Sequence, residues 1–344
     1  MNSFDRPREV AWIRRLALIG ALLCLGVVVL GGYTRLSNSG LGCPDWPGCF
    51  GHIAPTGSAE HYSTQADVRK AWVEMIHRYF ASTLGLIIVV IAALSIRARA
   101  ERGVSVWFAS VLLVLVVLQG MLGMLTVTWL LKPLIVTGHL LGGLTTFAML
   151  LWLYLSMRAR VRAVDGATVL AGNRLIEQGG RARLWAGLAL AALAIQVFLG
   201  GWTSSNYAAL ACPDLPRCQN QWVPEADYQD AFVLWRGLGI NYAGGVLDHP
   251  ARVAIHFVHR VGATVATILL LLAAFAALRG LGNAPRWAAL AVIGALALQI
   301  SIGVFMVLRA FPLELAAAHN AGAALLVGAT VLLNRRLRPV ADFQ

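Results

Sequence analysis

Charge is what this chain has least of. Only 13% of its 344 residues are Asp, Glu, Lys or Arg, against 58% hydrophobic, and the mean hydropathy is +0.70. That balance excludes an ordinary soluble domain, in which about a quarter of residues are charged. Acidic residues are the scarcer sign, 16 against 28 basic, for a formal charge of +12. Lysine is nearly absent: Lys70 and Lys132 are the two, and the other 26 basic residues are Arg. In a soluble protein such an excess would point to nucleic acid. Here it stands in short flanks between apolar runs, where it reports membrane topology, so no nucleic-acid partner is expected. No A-x-A cleavage pattern follows the first apolar run, which is therefore expected to be a retained helix rather than a signal peptide.

What is present is eight apolar runs of membrane-spanning length, roughly 12–34, 70–96, 104–127, 133–157, 183–204, 250–278, 286–308 and 312–334. The fold class expected is an all-α integral membrane protein. The N-terminus, the segments 97–102, 158–183 and 279–286, and the C-terminus hold 18 of the 28 basic residues. All five lie on one side, which is expected to be cytoplasmic. Both termini are then inside, and the long connections 35–69 and 205–249 are outside. The expected location is the bacterial inner membrane, crossed several times.

The chain repeats itself. Gly31–Cys49, GGYTRLSNSGLGCPDWPGC, aligns without a gap on Gly200–Cys218, GGWTSSNYAALACPDLPRC, at an offset of 169. His77-Arg78 matches His259-Arg260 at 182, and Gln119 and His139 match Gln299 and His319 at 180. Each half holds four helices in the same order. Four is even, so the halves share one orientation, as parallel repeats do. The expected organisation is a four-helix bundle over 1–157, a polar cytoplasmic linker over 158–183 and a second bundle over 184–344.

Ionisable residues at membrane depth mark function by default. His77 stands seven residues into the second run and His139 six into the fourth, both about 10 Å below the outer boundary at 1.5 Å per residue. His259 and His319 reach the same depth in the second half. Facing histidines in a bundle core can hold a haem through both axial positions. Zinc fits less well, because no third or fourth ligand stands at that level. Gly138, Gly142 and Gly143 near His139, and Ala316–Ala318 and Gly322 near His319, leave room for a flat macrocycle, though small residues also permit close helix packing.

Arg78 and Arg260 either snorkel to the interface or pair with haem propionates. Glu74 lies at i and His77 at i+3 on one helix face, and His256 replaces Glu74 in the second half. Glu74 is either a carboxylate wetted by the outer loop or a charge beside a reacting ligand. His256 is open between a supporting residue, an alternative ligand and an interfacial one. His52, His61 and His249 read as surface residues, and Gln119 and Gln299 as bonds between helices. Five cysteines complete the inventory. Cys43/Cys49 and Cys212/Cys218 are spaced C-x5-C around Pro-Asp-x-Pro outside the membrane, where disulfides form. They serve as staples or exchange electrons. Cys24 is left to packing.

Glu74-x-x-His77-Arg78, His139, His259-Arg260, His319 and the two cysteine pairs together resemble the haem A synthase family, over essentially all eight runs. Phe232–Asp248 also resembles that family's long outer loop. The resemblance implies oxidation of the C8 methyl of haem O to a formyl group, giving haem A for terminal oxidases. It implies an N-terminal half that takes haem O at His77 and His139, with Glu74 assisting the chemistry. It implies a C-terminal half that holds a haem B cofactor on His259 and His319. Cys43 and Cys49 would be the functional pair, and Cys212 and Cys218 the structural one. Implied partners are the haem O synthase, cytochrome oxidase assembly factors, the bilayer and a second copy of the chain. The competing readings are a dihaem b-type electron carrier and a haem transporter.

Overall fold

The computed structural model describes residues 7–55, 62–101, 103–164, 173–279 and 283–338. Among these the chain is all helical: α1 Pro7–Leu36, α2 Gln65–Arg97, α3 Val106–Thr128, α4 Pro133–Val164, α5 Asn173–Ser205, α6 Tyr228–Ala231, α7 His249–Leu278, α8 Asn283–Leu308 and α9 Leu313–Arg336. All but the four-residue α6 are long and apolar enough to cross a membrane. Several helices overrun the apolar stretches. α2 starts at a capping box in which Thr64 accepts from Asp67 N–H and Asp67 reaches back, a polar start signal that precedes the first apolar residue. His61 lies outside the described residues, as does much of the linker.

α1 packs on α2 and α4, and α3 packs on the same two. α5 packs on α7 and α9, and α8 packs on the same two. The two sets meet where α1 and α4 touch α9 and where α4 touches α5. The buried seams are rich in alanine: Ala17, Ala21, Ala182, Ala186, Ala189, Ala273, Ala274, Ala277, Ala288 and Ala289 are all nearly inaccessible. Small residues let helix backbones approach closely, where packing rather than water exclusion holds membrane helices together. Large apolar residues point outward instead, among them Leu22, Leu86, Ile195 and Phe305. Buried Cys24 directs its thiol to the Gly143 carbonyl at 3.6 Å.

The repeat extends to the turns. α3 ends with Leu130 and Leu131 at positive φ, and α8 ends with Ala310 and Phe311 at positive φ. In both, the last N–H groups close back on the helix: Leu131 N on Thr126 O (2.8 Å) and Phe311 N on Met306 O (2.8 Å). This is a Schellman-type stop. It reverses the chain in a few residues and brings α4 and α9 back at the depth of their partners.

The 206–248 connection crosses to the first half. Tyr242 N–H donates to the Leu130 carbonyl at 3.1 Å. The Lys132 ammonium lies 3.4 Å from the Trp235 ring centre and donates to the Gly237 carbonyl. Trp129 meets Trp235 edge-on. Phe232–Asp248 therefore roofs the α3–α4 turn. At the other seam Arg35 of α1 reaches Tyr207 Oη (3.1 Å) and the Ser204 carbonyl (2.9 Å) at the end of α5.

Candidate functional site

The site is assembled at the cysteine-loop end of the helices. α2 carries Glu74, His77 and Arg78, and α4 carries His139. The imidazoles of His77 and His139 face each other with ring centres 6.5 Å apart and planes at 84°. Their Nδ1 atoms are buried and make no hydrogen bond. Two imidazoles bonded to opposite sides of one metal ion, each at about 2 Å, would hold their ring centres about 6 Å apart. His259 of α7 and His319 of α9 are likewise within electrostatic reach of each other, and His319 Nδ1 is buried without a partner. Unsatisfied buried nitrogens are costly in apolar surroundings, and an axial metal bond would satisfy them. Among the described residues no three of His, Cys, Asp and Glu converge as a metal site. The donor set fits paired axial ligands to a metal whose other ligands come from a macrocycle.

Space at each imidazole is made by a glycine on the neighbouring helix. A Cβ on Gly31 would lie 2.8 Å from His77 Cε1, on Gly200 3.3 Å from His259 Cε1, on Gly123 3.4 Å from His139 Cε1 and on Gly303 3.1 Å from His319 Cε1. The glycines following the α4 and α9 histidines do something else: Gly142 and Gly322 receive the Gln119 and Gln299 side chains, whose nearest atoms would fall 1.8 and 2.3 Å from an added Cβ.

The cysteine loops lie over this end of the helices, each closed by a disulfide, Cys43–Cys49 and Cys212–Cys218. Asp45 accepts from Phe50 N–H (2.6 Å) and Gly51 N–H (2.7 Å), and Asp214 accepts from Gln219 and Asn220 N–H, both at 2.8 Å. Burial alone would raise both carboxyls. These N–H bonds and the nearby Arg78 or Arg260 instead hold each below its ordinary value. Arg78 donates to the Asp45 (2.8 Å) and Gly48 (2.5 Å) carbonyls. Arg260 donates to those of Asp214 (2.8 Å), Arg217 (2.8 Å) and Cys212 (2.7 Å). Both guanidiniums are thus anchored in the loops rather than extended to the interface.

Glu74 is 4% exposed, so it is not wetted by the loop. Its Oε1 pairs with Arg78 at 2.6 Å, and its Oε2 accepts the Cys43 N–H at 3.0 Å. His256, equally buried, takes the same place in the second half. Its Nδ1 lies 3.3 Å from the Cys212 N and its Nε2 3.3 Å from Arg260 Nε, and the neutral ring accepts at one of the two, its other nitrogen carrying the proton. His52 and His249 are exposed. Sequence reasoning missed Gln196, whose amide lies 3.0 Å from His259 Nδ1. It stands on α5 at no motif, and its one signal was a polar side chain in an apolar run.

Residues 14–331 match the family model described as cytochrome oxidase assembly protein (COX15-CtaA). The chain is 40% identical to the heme A synthase of Shewanella oneidensis, covering 95% of this chain and 96% of that protein. It is 27% identical to the heme A synthase of a Caulobacter species, over 98% and 99% of the two chains. For that of Paracoccus denitrificans the identity is 26%, over 94% and 87%. With that coverage, and with eight spans and four intramembrane histidines in the register described, the chain belongs to the cytochrome oxidase assembly family in which the heme A synthases are found.

Proposed function

We propose that this multi-pass membrane protein is a haem A synthase, an oxidoreductase that converts the C8 methyl of haem O to a formyl group by two successive two-electron oxidations, first to the alcohol and then to the aldehyde hydrate that loses water, with an external electron acceptor and dioxygen or water as the source of oxygen. The observation that carries the reading is the unequal pair of sites. Two histidine pairs stand in matched register, but a buried carboxylate, Glu74, stands beside one of them and an imidazole, His256, beside the other. A protein that only relays electrons has no use for that difference.

In this reading the chain works as two parallel four-helix bundles. The N-terminal bundle takes the substrate, haem O, between His77 and His139. In the C-terminal bundle His259 and His319 would hold haem B. When bound, haem B supplies reversible one-electron chemistry beside the reaction. The rest is done by side chains. His77 and His139 orient the substrate so that its methyl edge lies toward Glu74. Removing electrons from that carbon builds positive charge there. Glu74, fixed by Arg78 and by the Cys43 N–H, stabilises that charge and accepts the released proton. Arg78 and Arg260 keep positive charge at each pocket mouth, where carboxylates of a bound haem would meet it. Phe232–Asp248 covers the α3–α4 turn beside the first pair of histidines. The cysteine loops face away from the cytoplasm across the bacterial inner membrane, on the side that favours disulfides. A haem O synthase supplies the substrate, and terminal-oxidase assembly consumes the product.

Haem extraction and chromatography test the assignment, using protein expressed with and without a haem O synthase. Haem A, or haem O with its alcohol, is expected beside haem B when the synthase is present. Haem B alone under both conditions would instead make the chain a dihaem electron carrier.

A further inference from the structure

The four histidines are not held alike. In the C-terminal half, Gln196 Nε2 lies 3.0 Å from His259 Nδ1 and donates to the His259 carbonyl, also at 3.0 Å. Gln299 Nε2 lies 3.2 Å from His319 Nε2. Each imidazole there has one ring nitrogen gripped by a glutamine on the neighbouring helix. Both glutamines are seated on glycine: a Cβ on Gly262 would fall 2.4 Å from Gln196 Oε1, and one on Gly322 2.3 Å from Gln299 Oε1. An amide offers both a donor and an acceptor. A metal-bound imidazole carries a proton on its other ring nitrogen, so with haem bound the amide would turn to meet that N–H through Oε1 and so fix the direction of the nitrogen that binds.

The N-terminal half has lost this grip. The position equivalent to Gln196 is Val27, at the offset of 169, and the position equivalent to Gly262 is Phe80, at 182. Val27 has no polar side-chain atom to offer, and only its backbone can meet the His77 ring. Phe80 points outward, 48% exposed, and would leave no seat for a glutamine. Gln119 is retained and lies on Gly142 as Gln299 lies on Gly322, but its Nε2 is buried without a partner. His77 Nδ1 and His139 Nδ1 are equally without one. The difference is a matched pair of replacements on two helices, together with an amide whose Nε2 has no partner.

We propose that Gln196, and with it Gln299, are positioning residues that make the C-terminal site retentive, and that the Val27/Phe80 replacement leaves His77 with no side-chain restraint, so that the N-terminal site exchanges its haem. This rests on the assignment of substrate to the first half and cofactor to the second. Hydrogen-bond partners of metal-bound histidine fix the ring's orientation and raise its basicity, and their loss costs about 10–100-fold in affinity. A cofactor site gains from that restraint. A site that must admit a substrate and release a product is slowed by it.

The test is haem release from the purified full-length protein, co-expressed with a haem O synthase, to an excess of apomyoglobin. Chromatography of the released pigment separates haem O and haem A from haem B. The unaltered protein is measured first: haem O and haem A should leave at least tenfold faster than haem B, and equal rates would overturn the two-site assignment itself. Given unequal rates, Gln196→Val should speed haem B release by about 10–100-fold and shift the low-spin electron-paramagnetic signal of that haem. Gln196→Glu, which keeps an acceptor at that position, should restore slow release. The reciprocal double variant Val27→Gln/Phe80→Gly should slow release of haem O and haem A without changing that of haem B. If haem B release and the spin signal are unchanged in Gln196→Val, with helix content intact by circular dichroism, the glutamine does not hold the ligand and the proposal is wrong. An unchanged N-terminal release rate in the double variant would equally remove the account of exchange.

Discussion

The N-terminal and C-terminal cysteine loops are nearly the same object. Each has a C-x5-C disulfide, an aspartate that closes the turn, and an arginine from the helix below bonded to the same two carbonyl positions. Each offers its first cysteine N–H to a buried side chain four residues before that arginine. They differ at that side chain, which is an ionisable carboxylate in one half and an imidazole in the other. An unchanged scaffold around one changed group shows what each half is for: the frame sets position, and the group inside it sets chemistry. The carboxylate also pairs with its arginine, whereas His256 leaves Arg260 without a carboxylate on its own helix.

Erasing that difference should have the largest effect. Glu74→Gln keeps the shape and an acceptor for the Cys43 N–H but removes the charge. Haem A yield per unit of protein should fall on the order of a hundredfold, as for a lost group that acts in the transition state, with haem B content unchanged. Undiminished yield would reduce Glu74 to a clamp for Arg78. Next come the histidines. His259→Ala and His319→Ala should each strip resident haem B. His77→Ala and His139→Ala should leave its spectrum nearly intact and stall turnover, because misplacing a substrate by about 1 Å can cost roughly a hundredfold in rate. Equal pigment loss in all four variants would make the halves equivalent carriers.

The disulfides sharpen the comparison at smaller amplitude. Closing so short a loop stabilises by about 2 kcal/mol in the chain-entropy account, so Cys43→Ser and Cys212→Ser should lower the melting temperature by similar amounts. Their effects on product should diverge. Cys43 N–H is one of the groups that fix Glu74, so a relaxed first loop misaims the carboxylate. A relaxed second loop reaches His256, Arg260 and His249 but no buried carboxylate. Matching losses of haem A yield in the two variants would remove Glu74 positioning as the role of the first loop.

How much of this could be read beforehand depends on the signal each feature leaves. The eight spans were legible because a bilayer demands about 20 apolar residues in a row. The histidines and cysteines were legible because the repeat places them twice. α6 was not: a four-residue helix in the 206–248 loop, capped by Asp227, has too little periodicity to stand out. Nor was the destination of Arg78 and Arg260, since a guanidinium beside a pocket serves loop carbonyls or a ligand equally well in sequence. The small residues beside the histidines left two readings open, and the structure divides them: Gly138 faces open space. Gly142 and Gly322, close in sequence to the α4 and α9 histidines, seat glutamines, whereas the glycines that make room for the imidazoles lie on neighbouring helices. Spacing along one helix says nothing about which residue faces it from another. The burial of Glu74 depended on the same cross-helix packing.

The smallest expected effect lies in how the two loops respond to acid. Asp45 and Asp214 both sit below their ordinary value of 3.8 in the folded loops. The stabilisation each gives is therefore complete above pH of about 4 and is lost as pH falls through the folded value. The two should not fall together. Arg78 divides its charge between the first loop and Glu74, at 2.6 Å from the latter, while Arg260 has no carboxylate on its own helix and gives its field undivided to the second loop. Asp214 should therefore hold its turn to lower pH than Asp45. Hydrogen exchange at the capped amides, Phe50 and Gly51 against Gln219 and Asn220, followed below pH 5, reads this directly. The first pair should lose protection at higher pH, and Glu74→Gln should shift it toward the second. Identical profiles in the unaltered protein would mean that the charge on Glu74 is not felt at the loop, and that the carboxylate acts on the pocket below it alone.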